Sequence, residues 1–376
     1  MMRNREFGAL VVITCLLLFF GLSMAYSASA PVGQKIMHDD YYYLKRMLLF
    51  AAVGLAGMIF AATRSYEIWT RYWLVFYVLS ALGLLVVFTP LGVSAGESKR
   101  SFSIGFATVQ PSEFARLTVV FFLASFCARR AEHLKNWKRG FVPAMAIMAV
   151  MTVLILAGHD LGIPVTIGLT ALLMLFIGGA SILHIAMTGG VALVSLVALI
   201  LLEPYRFKRI ITFIDPWKDP MRGGWQIIQS MAALGSGGVW GVGPGRGLQK
   251  YLYLPAAHTD FVFSIIGEEM GLVGTMIINL IFVSFAVVGT RIALKARSRE
   301  ASFLAIGISL MISITALINM AVTVDMLPTK GITLPFVSYG GSSLLSNMVA
   351  VGILMSIARS SRDLEALQSI PVTRGI

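Results

Sequence analysis

The chain has 376 residues, of which 57% are hydrophobic and 13% are charged, whereas an average soluble domain has roughly 25% charged residues. A water-soluble fold of this length cannot bury so much apolar surface, so the composition excludes a soluble globular protein and indicates a membrane protein. The two cysteines lie in apolar runs and support neither a disulfide framework nor a metal site. The net charge of +12 indicates basic loops at one membrane face, an anionic ligand, or both.

Long apolar runs bounded by charged and turn residues predict an all-α, polytopic fold of about ten membrane-spanning helices. The predicted spans are residues 8–27, 44–62, 73–90, 112–128, 141–158, 162–179, 184–203, 261–290, 303–324 and 339–358. The run at 261–290 is too long for one perpendicular span, so we expect it to tilt or to extend beyond the bilayer. The first run resembles a signal peptide but is long enough to span, so we expect it to be retained.

The distribution of charge predicts the orientation. An even number of spans places both termini on one face. If that face is cytoplasmic, the inner segments carry 16 of the 30 Lys and Arg residues, as the positive-inside rule favours. The long segment at about 204–258 then faces outward, and its Gly, Pro, Trp and basic residues predict a large ordered extracytoplasmic loop. We expect residues 1–376 to form a single transmembrane domain with a cytoplasmic tail at about 359–376.

Two clusters at the predicted outer ends of spans contain ionisable residues. Glu113 and Arg116 are three residues apart at the start of the fourth span, so they share a helix face. They form either an ion pair that holds the bundle together or part of a functional site. Asp160 lies between the fifth and sixth spans, where it can cap the following helix, face a polar cavity, or do both.

The long loop combines glycines with basic residues. Glycine lets backbone N–H groups approach an anion closely, and the surrounding cations include Arg206, Arg246 and Lys250. The sequence contains none of the glycine motifs that bind nucleotides, and an outward-facing loop would meet no ATP. We therefore interpret the loop as a site for the phosphate or pyrophosphate of a lipid, and we expect no nucleic-acid partner.

A second irregular segment, at about 325–343, precedes the last span. Its two prolines and two adjacent glycines predict a broken or re-entrant backbone, which at membrane depth must be buried in protein or line a wet cavity. Asp260 follows His258 and Thr259 at the mouth of the eighth span and is the leading candidate for a reacting carboxylate. An Asp at a helix start is more often a cap, and that alternative stays open. The further candidates in the irregular segment are Lys330, Ser338, Ser342 and Ser343.

These segments carry a resemblance to the SEDS family, in motifs that follow the family's order and cover almost the whole chain. The motifs are Gln-Pro-Ser-Glu (110–113), Asp-Leu-Gly (160–162), Leu-Gly-Ser-Gly-Gly (234–238), Leu-Pro-x-x-His-Thr-Asp-Phe (254–261), Gly-Glu-Glu-Met-Gly (267–271) and Leu-Pro-Phe-Val-Ser-Tyr-Gly-Gly-Ser-Ser (334–343). The segment Pro-Thr-Lys-Gly-Ile-Thr-Leu-Pro (328–335) resembles the cell-division branch more than the elongation branch, and a sporulation member would look similar.

The resemblance implies a peptidoglycan glycosyltransferase that polymerises lipid II with inversion and releases undecaprenyl pyrophosphate. Asp260 matches the family's catalytic aspartate and would act as general base on the acceptor sugar's 4-hydroxyl. Glu113, Arg116 and Asp160 match positions that line or support the central cavity, and Lys330 with 338–343 matches the last outer motif. Departures from the family pattern leave a divergent or weakly active member open. They are Ser101, Arg116, His159, Ala256 and Asp325.

The resemblance also implies partners and a location. The expected partners are lipid II, the growing glycan strand, a class B penicillin-binding protein and other divisome membrane proteins at the division septum of the bacterial inner membrane. No cofactor is firmly predicted, although a Mg²⁺ or Mn²⁺ ion that bridges a pyrophosphate needs only one or two carboxylates. Two other functions stay open. A lipid II transporter should show two related halves with paired broken helices, and a non-catalytic scaffold would not need the His-Thr-Asp motif.

Overall fold

The structure is a computed structural model that describes residues 5–95, 98–105, 107–202, 204–221 and 223–368. Fourteen α-helices account for most of the described residues. They are α1 (Arg5–Ser27), α2 (Ala30–Met37), α3 (Tyr42–Thr63), α4 (Glu67–Arg71), α5 (Trp73–Val86), α6 (Pro111–Arg129), α7 (Val142–Ala157), α8 (Gly162–Ile177), α9 (Ile182–Leu201), α10 (Pro204–Ile214), α11 (Trp225–Gly237), α12 (Val262–Leu294), α13 (Arg299–Thr323) and α14 (Gly341–Gln368).

The ten predicted spans are confirmed as helices. In the part of the chain that the structure describes, eight helices are long and apolar enough to cross a membrane, with α7 counted together with the helical turn Trp137–Phe141 that precedes it. Two shorter apolar helices, α5 and α8, coincide with the remaining two predicted spans. They have 14 and 16 residues, fewer than the roughly 20 that a perpendicular span needs. The fold is therefore a polytopic helix bundle.

Helix α6 lies at the centre of the bundle. Its residues from Pro111 to Cys127 are buried almost without exception, and it packs against α5, α8, α13 and α14. Helix α9 is the opposite case, because none of its residues is buried by the rest of the chain. An apolar helix without protein cover is expected to face lipid. The bundle is thus tightly packed around α6, whereas α9 lies at its periphery with no buried residue.

The two ends of the bundle differ in their contacts. At the end where α1 begins, Arg129 pairs with Glu300 and Lys295 pairs with Glu6, each at 2.8 Å. At the opposite end, the segment before α14 accepts hydrogen bonds from Arg100 of the loop between α5 and α6 and from Arg209 of α10. The same segment donates one to the carbonyl of His258, through the N–H of Tyr339. We call this second end the site end. That the site end faces outward remains a prediction.

A small antiparallel sheet, which the sequence analysis did not predict, lies between α5 and α6. Its strands are β1 (Gly92–Ala95), β2 (Ser98–Ile104) and β3 (Ala107–Val109), with β2 in the middle. Phe102 of β2 is paired with Gly92 on one side and with Val109 on the other. The sheet places Lys99 and Arg100 at the site end.

Helix α12 is broken at Gly271, whose φ of 65° and ψ of −162° are not helical. Residues of the long loop satisfy the backbone groups that the break leaves free. N–H groups at 242 and 243 donate to the carbonyls of Glu268 and Glu269 at 3.0 Å, and the N–H of Leu272 donates to Gly238 at 2.9 Å. The predicted run at 261–290 therefore consists of two helical pieces, and the long loop is anchored where they join.

Candidate active site

Asp260 lies at the site end, immediately before α12. Its N–H donates to the carbonyl of Ala256 at 3.1 Å. The side-chain amide of Asn319, in α13, donates to the carbonyl of Asp260 at 2.9 Å and to that of Ile332 at 2.7 Å. The residue that caps α12 is Phe261, and no side chain accepts a hydrogen bond at that cap. The alternative interpretation of Asp260 as a helix cap is therefore wrong, and the residue is partly buried.

Two arginines from other segments lie near this carboxylate. Arg100, in β2, donates to the carbonyl of Gly331 at 3.5 Å. Arg209, in α10, donates to the carbonyl of Thr329 at 3.0 Å. Both hydrogen bonds end on the irregular segment before α14. The small sheet, α10 and that segment therefore converge on Asp260.

The charge state of Asp260 is set by these surroundings. Burial raises its pKa from 3.8 to about 6, although Arg100 and Arg209 act to lower it. The Asp160 carboxylate adds a smaller upward contribution to the Asp260 pKa. A carboxylate with such a pKa is ionised at neutral pH yet is a stronger base than an exposed aspartate. This is the property that a general base requires.

Asp160 has the predicted capping role. Its Oδ1 accepts hydrogen bonds from the N–H groups of Gly162 at 2.9 Å and Ile163 at 3.4 Å, so the residue caps the start of α8. Its Oδ2 is buried and has no hydrogen-bonding partner among the described residues. Burial raises the pKa of Asp160, and the charges of Arg100 and Lys330 oppose that rise. Asp160 is thus a cap with one buried oxygen that has no described partner, and its place at a polar cavity stays a prediction.

Lys330 lies in the same electrostatic neighbourhood. Burial lowers the pKa of its ammonium, and Asp160 partly restores it. Because Arg100 acts on both carboxylates, Asp160, Asp260, Arg100 and Lys330 form one charged group. We call these four residues, with Arg209, the charged cluster.

His258 and Thr259 are held by the segment before α14. The His258 ring packs against Tyr43 and Tyr339, with centroids 5.0 and 5.9 Å away. Its carbonyl accepts the N–H of Tyr339 at 2.9 Å, and the carbonyl of Thr259 accepts the hydroxyl of Ser338. Burial lowers the His258 pKa to about 4, so the imidazole is neutral at pH 7. These contacts fix the chain that leads into Asp260.

Glu113 and Arg116 form a buried ion pair at 2.8 Å. Arg116 also donates to Thr315 of α13 at 2.8 Å and to Asn347 of α14 at 3.3 Å. The pair therefore joins three helices of the core, which supports the bundle-bracing alternative. The contact of this pair with substrate stays a prediction.

Ser342 and Ser343 continue this network towards the charged cluster. The Ser342 hydroxyl accepts the N–H of Gln110 at 2.9 Å, which ties the start of α14 to the start of α6. The Ser343 hydroxyl accepts hydrogen bonds from Thr333 at 3.0 Å and Asn347 at 3.2 Å. The two serines lie at the predicted place, but their hydroxyl groups already have partners within the protein.

Lys250 is placed differently from the prediction. Its buried ammonium donates to Glu269 at 2.7 Å, to the carbonyl of Gly245 at 2.7 Å and to Ser27 at 3.0 Å. Two of its donors anchor the long loop on α12 and α1, and the third binds a carbonyl of the loop itself, so no donor is left for a substrate. Arg246 is exposed on the loop surface. Arg206 lies in α10, but its side chain is outside the described part of the chain.

The structure offers only a small set of possible metal ligands. Among the described residues, no group of three or more His, Cys, Asp and Glu side chains is placed to hold a metal ion. Asp160 and Asp260 could supply the one or two carboxylates that a hydrated Mg²⁺ or Mn²⁺ on a pyrophosphate needs. Arg100, Arg209 and Lys330 already supply positive charge there. A divalent cation stays a prediction.

Fold and site define a polytopic membrane protein with partly buried carboxylates among cations, and comparison with known proteins identifies its family. Residues 8–363 match the model of the cell cycle protein family that includes FtsW, RodA and SpoVE. Stage V sporulation protein E of Bacillus subtilis is 41% identical over 354 residues, which cover 94% of this chain and 97% of that protein. The probable peptidoglycan glycosyltransferase FtsW of Geobacter sp. (strain M18) is 40% identical over 353 residues, with coverage of 94% and 95%. The chain belongs to this family, the SEDS family.

Two solved structures resemble the chain. One is a chain from a structure that describes the structural coordination of polymerization and crosslinking by a peptidoglycan synthase complex. It aligns with a TM-score of 0.73 at 26% identity, covering 94% of this chain and 97% of that one. The other is the rod shape determining protein RodA of Thermus thermophilus, with a TM-score of 0.66 at 24% identity and coverage of 94% and 96%. The second likeness supports the fold alone.

Three residues of this site were not predicted beside Asp260, although one of them, Arg209, is among the basic residues of the long loop. Arg100 and Arg209 lie far from Asp260 in the chain, and only folding brings them together. The only available signal for Arg100 was the basic pair Lys99-Arg100 between two predicted spans. Asn319 lies within an apolar span, where an amide side chain marks a polar contact. That signal could have been read from the sequence.

Proposed function

We propose that the chain is a peptidoglycan glycosyltransferase of the cell-division type that polymerises lipid II into glycan strands. The observation that carries the proposal is the carboxylate of Asp260, which is partly buried, caps no helix, has a pKa of about 6 and lies beside two arginines. The names of the FtsW relatives support the activity. The site end would face away from the cytoplasm, with both termini inside, at the inner membrane of the division septum.

In the proposed reaction Asp260 takes the proton from the 4-hydroxyl of the acceptor sugar. The oxygen then attacks the anomeric carbon of the donor from the face opposite the pyrophosphate. The new C–O bond forms as the bond from the anomeric carbon to the phosphate oxygen breaks, so the configuration is inverted. The leaving undecaprenyl pyrophosphate keeps the bonding electron pair, and the proton stays on Asp260 until it is lost to water.

The cations of the charged cluster would stabilise the leaving group. Negative charge develops on the pyrophosphate as the bond breaks, and fixed cations aimed at that charge lower the barrier. Arg100, Arg209 and Lys330 are the described cations nearest to the two carboxylates. A bound Mg²⁺ or Mn²⁺ held by Asp160 and Asp260 would add to this charge.

A class B penicillin-binding protein is the proposed partner, because one structural relative comes from a peptidoglycan synthase complex with structural coordination of polymerization and crosslinking. Other divisome membrane proteins would bind the same assembly. The sporulation branch is the nearest alternative, since the Bacillus subtilis relative is equally similar. A RodA-type elongation polymerase is a further alternative.

A lipid II flippase is the main alternative from another class, and a non-catalytic divisome scaffold is a second. An assay that separates them uses the purified chain with its cognate class B penicillin-binding protein, supplied with lipid II in vesicles. Glycan ladders on a gel are the expected product. Translocation of lipid II without ladders would support the flippase. If active partner and intact lipid II give neither product, the scaffold reading replaces the proposal.

A further inference from the structure

A basic segment lies at the end where α1 begins, on the far side of the bundle from the charged cluster. Residues 130–141 connect α6 to α7 and contain four Lys and Arg residues but a single acidic residue, Glu132. Three of these cations are exposed, and among the described residues none of the three forms an ion pair. They are Lys135, Lys138 and Arg139, which we call the basic patch.

The backbone under the basic patch is held by hydrogen bonds and by buried side chains. The side chain of Asn136 accepts the N–H groups of Lys138 at 3.0 Å and Arg139 at 3.1 Å. Leu134, before this turn, and Phe141, after it, are fully buried. The turn is thus anchored on both sides. A ligand that binds the three cations does not have to order a flexible loop first, which reduces the entropy cost of binding.

An indole ring lies within the same turn. Trp137 is 38% exposed, and its ring stacks on that of Phe141 with centroids 5.3 Å apart. A further contact joins it to the His184 ring in the first turn of α9, at 4.8 Å. Trp favours the headgroup level of a bilayer, where its ring meets acyl chains and its N–H meets polar groups. This position is the depth at which lipid phosphates lie.

Helix α9 supplies apolar surface beside the turn. None of its residues is buried by the rest of the chain. Leu183 and Met187, which lie one residue before and three residues after His184, are 65% and 52% exposed. An apolar helix without protein cover is expected to contact acyl chains. A cluster of unpaired cations next to such a helix matches the two parts of an anionic phospholipid.

We propose that the basic patch, together with Trp137 and the first turns of α9, binds the headgroup of an anionic phospholipid. The three cations hold its phosphate, and its acyl chains lie along α9. A zwitterionic headgroup is disfavoured, because its own cation offsets the phosphate and is repelled by the patch. The inference is independent of the proposed glycosyltransferase function, since this site and Asp260 lie at opposite ends of the bundle.

The test is native mass spectrometry of the detergent-solubilised full chain, titrated with phosphatidylglycerol or, as the zwitterionic reference, with phosphatidylcholine. The test variant combines Lys135→Gln, Lys138→Gln and Arg139→Gln. The matched control combines Arg291→Gln, Arg297→Gln and Arg299→Gln, which removes three other exposed cations from the same end of the bundle. We expect phosphatidylglycerol binding to weaken by about tenfold or more in the test variant and by less than about twofold in the control.

The control separates a site from the general attraction between basic loops and anionic lipid. Equal losses in the two triple variants would overturn the inference, and so would native phosphatidylglycerol binding in the test variant. Trp137→Ala should weaken the binding of both lipids, and Trp137→Tyr should restore most of it.

A measurement on the native chain decides even if a variant does not fold. Phosphatidylglycerol binding should be tighter than that of phosphatidylcholine and should weaken as the salt concentration rises, because salt screens exposed charges. Equal affinity for the two lipids at low salt would overturn the inference.

Discussion

The side chain of Asn319 holds the backbone of Asp260 in place. Its amide group donates to the carbonyl of Asp260 and, with its second hydrogen, to the carbonyl of Ile332. One buried side chain of α13 thus joins the segment that carries the candidate base to the segment that carries Gly331 and Lys330. The separation of base and cations is set by this bridge.

Replacing Asn319 with alanine should therefore impair both stability and rate. Two carbonyls lose their donor, and each buried group left unsatisfied costs about 1–3 kcal/mol. We expect a lower unfolding temperature in detergent and a polymerisation rate reduced by about tenfold or more. Asn279→Ala is the control, since Asn279 bonds only within its own helix, to Thr275. Equal effects of the two substitutions would contradict the positioning role of Asn319.

The rate should depend on pH through Asp260. A general base has to be ionised, so the polymerisation rate should be level above pH 6 and fall as the pH drops through about 6. Arg100 lowers the Asp260 pKa, so Arg100→Gln should move the acid limb of the profile to higher pH. The measurement is the initial rate across this range with saturating lipid II. An acid limb that does not move in Arg100→Gln would contradict the electrostatic coupling.

The buried pair of Lys250 and Glu269 should matter for folding. Removing one partner leaves a buried charge unpaired, which typically costs about 3–5 kcal/mol. We expect Lys250→Met and Glu269→Gln each to lower the free energy of unfolding in detergent by that order. The double substitution should cost less than the two single effects together. Lys45→Met, which breaks an exposed pair with Asp39, should change little. Additive effects at Lys250 and Glu269 would show that they are not coupled.

The break in α12 predicts a strict requirement for glycine at 271. A side chain there needs a positive φ and would collide with the backbone at Val239 and Gly241. We expect Gly271→Ala to detach the long loop and to abolish stable folding, measured as monodisperse protein after purification. Gly189→Ala, in lipid-facing α9 with open space around it, should be neutral or stabilising by up to about 1 kcal/mol. A stable Gly271→Ala protein would contradict the described anchoring.

The sequence predicts most of this fold because a bilayer imposes a length on every span. Runs of about twenty apolar residues locate the helices, but they do not reveal the break at Gly271. That break depends on backbone groups of the long loop, which only the folded chain supplies. The sheet at 92–109 was missed for a related reason. Two of its three strands have only four and three residues, and the alternation of polar and apolar residues in β2 is limited to residues 101–104, which is too short a signal to predict a sheet.

The site was predicted where one residue carries the signal and missed where distant residues combine. Asp260 stands out through its motif, and the cap formed by Asp160 follows from its position before a helix. Arg100 and Arg209 carry no local signal that links them to Asp260. Lys250 was misplaced because a basic residue in a glycine-rich loop suits an anion site. Its partners Ser27 and Glu269 lie in α1 and α12, far from Lys250 in the sequence, so a local sequence pattern does not predict these contacts.

The most direct test compares Asp260→Asn with Asp215→Asn in the assembled complex. The chain is purified with its class B penicillin-binding protein, supplied with lipid II, and the products are resolved as glycan ladders. Asp215 lies in the long loop, where its carboxylate caps a short turn at Trp217, so it controls for loss of an outer aspartate. We predict full ladders for the native chain and Asp215→Asn, and none for folded Asp260→Asn. Ladders of native length and rate from Asp260→Asn would contradict the assignment of Asp260 as the base.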